Sequence, residues 1–256
     1  MTEHVGCLRL VLDLDHTLVA ASRVPPRVGE EHSDVHALDL PSHGRCWVRL
    51  RPHARYFCLV LRRFYTLAVH THGSAEYARA VVGLLDPGGQ LFEGRVVARD
   101  GANPAVGAAS KSLAQQLPAG FTAGGLDALR RHALVVDDRI DVWAEADQAN
   151  VLQIARFLHF EDGHDAKGPP LPLPPATPGR GAGDDHLLCV LRVLTLARRL
   201  ALMRPRLSRT TAAAAAHWRR RQRASAAPAP APPLDLRVAL GEARRRVLAG
   251  CTPAWP

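Results

Sequence analysis

An apolar run in LVLDLDHTLVA (residues 10–20) ends in two aspartates one residue apart. In an extended chain alternate side chains share a face, so Asp13 and Asp15 would stand side by side as like charges. Two other apolar runs end in reactive residue types. His70-Thr71-His72-Gly73 offers a hydroxyl and a glycine, and Asp137-Asp138-Arg139 offers two more carboxylates. Carboxylates gathered from two chain ends can hold a hard cation such as Mg2+, which takes oxygen ligands and keeps waters that a phosphate can replace. A lone Asp-x-Asp is equally a helix cap or a turn. It is the three polar run ends together that point to a site.

The elements that must carry these residues are legible as short β-rich runs alternating with helical ones. LRLVL (8–12), YTLAVH (65–70), ALVV (133–136) and VLQI (151–154) read as buried strands. SAEYARAVVGLLD (74–86) has apolar residues at helical spacing, opens on a serine cap and stops at Pro87-Gly88-Gly89. Such alternation predicts an α/β fold, a doubly wound parallel sheet with flanking helices, whose ligands sit outside the carboxyl ends of the strands.

At 256 residues, 47% hydrophobic and 22% charged, the chain has the composition of an ordinary globular protein. The five cysteines, Cys7, Cys46, Cys58, Cys189 and Cys251, are scattered without a CxxC pair, which argues against a disulfide framework or a zinc finger. The N-terminus reaches Asp13 and Asp15 too soon for a signal peptide, and no uncharged apolar stretch approaches membrane-spanning length. A soluble cytosolic or nuclear protein with reduced thiols is expected.

The formal net charge of +9 is unevenly spread. Residues 1–168 hold 18 Lys+Arg against 20 Asp+Glu, whereas 169–256 hold 15 against 4. The predicted division is therefore a catalytic domain at 1–167, a Pro/Gly-rich linker at 168–183, a helix at 184–203 packing on that domain, and an Arg/Ala/Pro-rich tail at 204–256 with a short terminal helix. The 184–203 helix has aspartates at its start and arginines in its later turns, matching the helix dipole at both ends. Within the tail, HWRRRQR (217–223) could serve nuclear import, an acidic partner or weak nucleic-acid binding, or be only a solvated face.

The motif order carries a resemblance. Asp13-Leu14-Asp15-His16-Thr17-Leu18 resembles the D-x-D-x-T signature of the haloacid dehalogenase superfamily, and specifically the RNA polymerase II C-terminal-domain phosphatases of the transcription-factor-associated branch. WVRLRPHARYF (47–57), VHTHGSAEYARAVVGLLDPGGQLFEGRVVARD (69–100) and ALVVDDRIDVW (133–143) are similar to that family's following segments. The resemblance implies a Mg2+-dependent phosphoserine/phosphothreonine phosphatase that forms an aspartyl-phosphate, acting in the nucleus on the polymerase C-terminal repeat. It makes Asp13 the nucleophile and Asp15 the general acid and base. Thr71, with nearby main-chain amides, and Lys111 would hold phosphate; Asp13, the Asp15 carbonyl and Asp137 would bind Mg2+; Thr17 and Asp138 would support them.

Lys111 is one of only two lysines, with Lys167, among 33 basic residues, and a compact point charge suits a position beside a nucleophile and a phosphate. With 13 histidines in the chain, His16, His70 and His72 read as structural or exposed, and no tight ligand spacing supports a histidine metal site. His70 and His72 also depart from the tyrosine and methionine common beside the family's threonine. LDLRVALGEARRRVLAGCTPAWP (234–256) resembles the lead-in to the phosphopeptide-binding BRCT domain of longer relatives, and the residues from Cys251 to Pro256 leave no room for that domain. Two other functions stay open: the same chemistry on another phosphoprotein, and a non-catalytic partner-binding protein.

Overall fold

Alternate residues of the first apolar run are shared between two cores. In the computed structural model, which describes residues 8–26, 33–99, 110–117, 123–160, 184–203 and 235–248, strand β1 (Arg9–Leu12) sends Leu10 and Leu12 to one side and Val11 to the other. The linker expected at 168–183 and the cationic cluster at 217–223 lie outside the described residues. A strand buried on both faces must be apolar at every position, which is why the run does not alternate with polar residues.

After β1 the chain inserts a small antiparallel sheet, β2 (Val19–Ser22), β3 (Val35–Leu40) and β4 (Gly44–Leu50) in the order β2-β4-β3, and then helix α1 (Ala54–Leu61). It returns to the main sheet as β5 (Thr66–Ser74), helix α2 (Ala75–Leu85) and β6 (Val96–Arg99). Ser74 caps α2, its hydroxyl accepting from Tyr77 N at 3.3 Å. Asp86 closes the helix by accepting from the amides of Gln90 at 3.0 Å, Leu91 at 2.7 Å and Phe92 at 3.2 Å. A 3-10 turn (Leu113–Gln116), α3 (Ala123–His132), β7 (Ala133–Asp137), α4 (Glu145–Gln148) and β8 (Val151–Gln153) follow.

The main sheet is parallel throughout, in the order β6-β5-β1-β7-β8. The chain winds from β1 outward through β5 and β6, then restarts on the other side with β7 and β8. The carboxyl end of β1 is therefore a topological switch point, where a crevice opens between neighbouring loops. The predicted doubly wound parallel sheet is the one observed.

Two later helices complete the core. The helix at 186–203 (α5) buries Leu187, Val190, Leu194, Ala197 and Ala201, a helical stripe. Tyr65 fastens it by donating its hydroxyl to Leu194 O at 2.9 Å. Within the expected tail at 204–256, the short terminal helix lies at Leu236–Leu248 and packs on the core. In this helix, α6, Leu236, Ala239, Leu240 and Ala243 are buried in the main core, and Arg244 donates to Val151 O at the start of β8. Arg245 and Arg246 stay outward, paired with Glu242. No helix among the described residues is long and apolar enough to cross a membrane.

One guanidinium joins the small sheet, the first strand's turn and α5. Arg51, fully buried, donates to Asp184 through Nε at 2.8 Å and Nη2 at 3.2 Å, and to Thr17 O through Nη1 at 3.1 Å. Its plane lies 5.5 Å from the Phe157 ring centre. Although burial works the other way, the His186 hydrogen bond and the Arg51 charge hold the Asp184 carboxyl down to about 2. Asp184→Ala leaves a buried cation without its carboxylate, so denaturant unfolding at neutral pH should show a loss of ~3 kcal/mol. Because the folded pKa is depressed, that contribution should fade as pH falls from about 4 toward about 2. A loss below ~1 kcal/mol would mean the tether is incidental.

Candidate active site

Three loops meet at the carboxyl edge of β1, β5 and β7. Asp13 directly follows β1, its amide still bonded to Val136 O at 3.0 Å, so the ladder aims the side chain. The chain then doubles back within five residues. Leu14 O accepts from the amides of Thr17, Leu18 and Val19, and His16 takes the left-handed conformation at φ 62°. This turn presents Asp15 to the same cleft as Asp13. Thr17 Oγ1 accepts from Asp138 N at 3.0 Å, clamping the first loop to the third.

Lys111 arrives from another part of the chain. Its backbone is inserted beside Trp143, with Lys111 N bonded to Val142 O and Ala144 N to Lys111 O, both at 2.8 Å. The buried Asp147 holds this segment by accepting from Ser112 Oγ and Leu113 N at 2.9 Å and from Arg130 Nε at 2.7 Å. The ammonium thereby lies 2.6 Å from Asp13 Oδ1 and 2.7 Å from Asp137 Oδ2. Asp137 also accepts from Trp143 Nε1 and Arg139 N, each at 2.8 Å.

The expected residues converge. Asp13, Asp15, Thr71, Lys111, Asp137 and Asp138 all line one open cleft of about 370 Å3, with His72, Arg139 and Arg156 around it. Asp13, Asp137 and Asp138 are buried, and each can place an oxygen within 4.8 Å of the others. Asp138 therefore stands in the carboxylate cluster itself, whereas the resemblance implied only a supporting place. The Asp15 side chain is held from behind, accepting from Tyr77 Oη at 2.5 Å and from Thr71 Oγ1 at 3.5 Å. Gly73 N, an amide expected to face phosphate, donates to Thr71 Oγ1 at 2.9 Å at the cleft wall. Arg139 pairs with Asp141 and not with Asp138, whose ion pair is with Arg156 at 3.1 Å.

Charge crowding dominates the electrostatics. Burial, then the Asp13 charge, pushes the Asp137 carboxyl up to about 6 against the pull of Lys111. Burial and both neighbouring aspartates push Asp138 up to about 7, and burial raises Asp13 as well. Burial works against the Lys111 ammonium, yet the two carboxylates beside it raise its pKa. His70, packed edge-on to Trp143 at 5.1 Å, is pushed down to about 3 by burial and by the Lys111 and His72 charges, so it is neutral. Burial and Asp15 push the Tyr77 phenol well up, which keeps it the donor.

Sequence reasoning missed Tyr77, Trp143, Asp147, Arg51 and Arg156. Tyr77 and Trp143 lie within quoted motif segments, but nothing in their spacing announces which carboxylate each will meet. Asp147 and Arg156 carried no signal at all.

The chain is similar to known phosphatases in sequence and in fold. The family model for the NLI interacting factor-like phosphatases covers residues 8–168. An RNA polymerase II C-terminal domain phosphatase from Caenorhabditis elegans is 32% identical over 164 residues, covering 63% of this chain and 23% of its own length. The protein of the same name from Homo sapiens is 30% identical over 165 residues, covering 64% and 16%. The chain thus spans less than a quarter of the length of these two relatives. The solved structure of Fcp1, an essential RNA polymerase II CTD phosphatase, has a TM-score of 0.64 at 20% identity, covering 98% of this chain and 75% of that one. The fission yeast enzyme bound to beryllium fluoride gives 0.62 at 19% identity, covering 96% and 73%. With the family model spanning every loop of the cleft, the chain belongs to the NLI interacting factor-like phosphatase family.

Proposed function

We propose that this chain is a Mg2+-dependent protein phosphatase that hydrolyses phosphoserine and phosphothreonine through an aspartyl-phosphate, with the RNA polymerase II C-terminal repeat as its substrate and the nucleus as its location. The observation that carries this reading is the convergence of Asp13, Asp15, Thr71, Lys111, Asp137 and Asp138 on one cleft from segments far apart in sequence. The substrate follows from the names of these relatives, both C-terminal domain phosphatases.

Each side chain has a task consistent with its setting. Asp13 is the nucleophile: Lys111 holds Oδ1 and fixes the carboxylate plane, so the other oxygen can approach phosphorus. Asp15 gives its proton to the departing serine or threonine oxygen and later takes one from the attacking water. Tyr77 keeps that carboxyl in place from behind. Thr71 and Lys111 meet the phosphoryl oxygens at the cleft wall.

The carboxylates fit a divalent cation. Four of them, counting Asp15, line the cleft against three cations, Lys111, Arg156 and Arg139, and Arg139 is already paired with Asp141. Asp138 Oδ2 is buried without an aligned hydrogen bond. An all-oxygen donor set of this kind suits Mg2+, with Asp13, Asp137 and the Asp15 carbonyl as ligands and Asp138 beside them. When bound, the ion would neutralise charge on the transferring phosphoryl group.

Hydrolysis of phosphorylated heptad-repeat peptides with and without Mg2+ tests the whole reading. Equal turnover in excess chelator would remove the metal, and turnover confined to unrelated phosphopeptides would replace the substrate. Asp13→Asn should abolish turnover, since an amide cannot form the intermediate, while circular dichroism stays unchanged. Asp15→Asn should also stop peptide turnover, yet an aryl phosphate, whose leaving group needs little protonation, should still give a stoichiometric burst. A burst from Asp13→Asn would remove Asp13 from its role.

The raised Asp137 pKa predicts a pH dependence in the metal-free protein. The folded state holds a proton there that the unfolded state releases near pH 4, so ionising Asp137 destabilises the fold as pH rises from about 4 to about 6. Relative to wild type in chelator, Asp137→Asn should therefore gain up to ~3 kcal/mol across that interval. A difference that stays flat in urea unfolding from pH 4 to 7 would contradict the crowding described above.

A further inference from the structure

A second cavity, of about 420 Å3, opens beside the catalytic cleft and shares Gly73 with it. Its lining includes the apolar groups Ala21, Leu40 and Cys46 and the ring of Tyr77, the residue whose hydroxyl meets Asp15 on the other side. Two cations stand at this cavity, Arg23 and Arg99, both exposed. Neither has a carboxylate partner among the described residues, whereas Arg51, Arg130, Arg139 and Arg156 nearer the core are all paired. The remaining titratable groups in the lining are His43, bound to Glu76 at 3.1 Å, and the Cys46 thiol, which burial pushes up and keeps neutral. A cavity with an apolar lining and two uncommitted guanidinium groups, next to a site that takes a phosphate, is suited to an anionic side chain of the same ligand.

We propose that this cavity is a second-anion subsite. It seats a residue near the phosphorylated serine or threonine and favours peptides that carry another phosphate or carboxylate a few residues from the scissile one. This rests on the phosphatase function proposed above. The shared wall at Gly73 sets the spacing: an extended peptide advances about 3.3 Å per residue, so only anions a short distance away can reach the arginines while the phosphate lies against Asp13. Phosphate should be preferred to carboxylate, because two planar guanidinium forks can each bind it through paired oxygens.

The test is a panel of phosphoserine peptides in which each position within about four residues of the phosphoserine carries serine, aspartate, a second phosphoserine or leucine. Affinity is read by fluorescence anisotropy on Asp13→Asn, which needs no turnover, and kcat/KM on the wild type. At one spacing the second phosphoserine should improve both by ~10-fold or more over serine, with aspartate intermediate. Arg23→Gln and Arg99→Gln together should erase most of that gain. Arg23→Gln alone should leave aryl-phosphate hydrolysis within about twofold, since an aryl phosphate places nothing in the cavity. A gain independent of spacing, one that survives the double variant, or one matched by leucine would overturn the subsite. Spacing-dependent binding without any turnover would instead sink the phosphatase reading and leave the subsite standing.

Discussion

The Lys111 ammonium, wedged between Asp13 and Asp137, is the interaction around which the site is arranged. Three carboxylates brought this close in a buried setting cannot all stay ionised unaided, and the raised values at Asp13, Asp137 and Asp138 record that conflict. Much of the neighbouring architecture holds the opposing charge in position. The two backbone bonds beside Trp143 fix the lysine's main chain, and Asp147 anchors the following 3-10 turn. Trp143 completes the arrangement by donating to the same Asp137 oxygen that meets the ammonium. These contacts fix the lysine backbone independently of the carboxylates, so the charge is placed before it is used.

The turn that carries Asp15 is braced from the opposite side by the Arg51 guanidinium. Parallel strands alone would leave the 14–18 turn attached only through β1. Arg51 binds its carbonyl at Thr17, Thr17 binds the Asp138 amide, and Phe157 N binds the His16 carbonyl at 2.7 Å. The left-handed backbone at His16 is thus over-determined by neighbours, the condition under which such strain persists at a working site. Since Asp184 supplies the countercharge, the segment at 184–203 belongs physically to the same body as Asp13, despite the Pro/Gly-rich stretch before it.

What was legible in the sequence follows from burial. β1 and β7 are covered on both faces and stop at polar residues, so their apolar runs and reactive ends stood out together. The small sheet did not, because VHALDL in β3 is half exposed and lacks the uninterrupted apolar run of a strand covered on both faces. Helix α6 was expected as a short terminal helix, but composition hid its packing on the core. Its buried stripe uses two alanines and two leucines among arginines, and Arg244 is drawn inward through a main-chain carbonyl, so nothing in the sequence marked the helix as part of the core. Cross-chain partners such as Tyr77 for Asp15, 62 residues apart, depend on the register between β5 and α2, which no local pattern encodes.

Gly73 shows how tightly that register is set. A Cβ there would fall 2.7 Å from the Tyr77 ring and 3.3 Å from Thr71 Oγ1, so only glycine lets β5 carry the Thr71 hydroxyl at the cleft and α2 bring a phenol against the strand at once. The pairing of β5 with β6 shifts register between His70 and Ser74, the stretch that holds Thr71 and Gly73. A bulge at a strand end re-aims side chains without disturbing the core beneath. His70 stays buried against Trp143 while Thr71, the next residue along the strand, faces the cleft. The close approach of Tyr77 then makes a single aromatic side chain the partition between two cavities: its hydroxyl bears on Asp15, and its ring lines the neighbouring space.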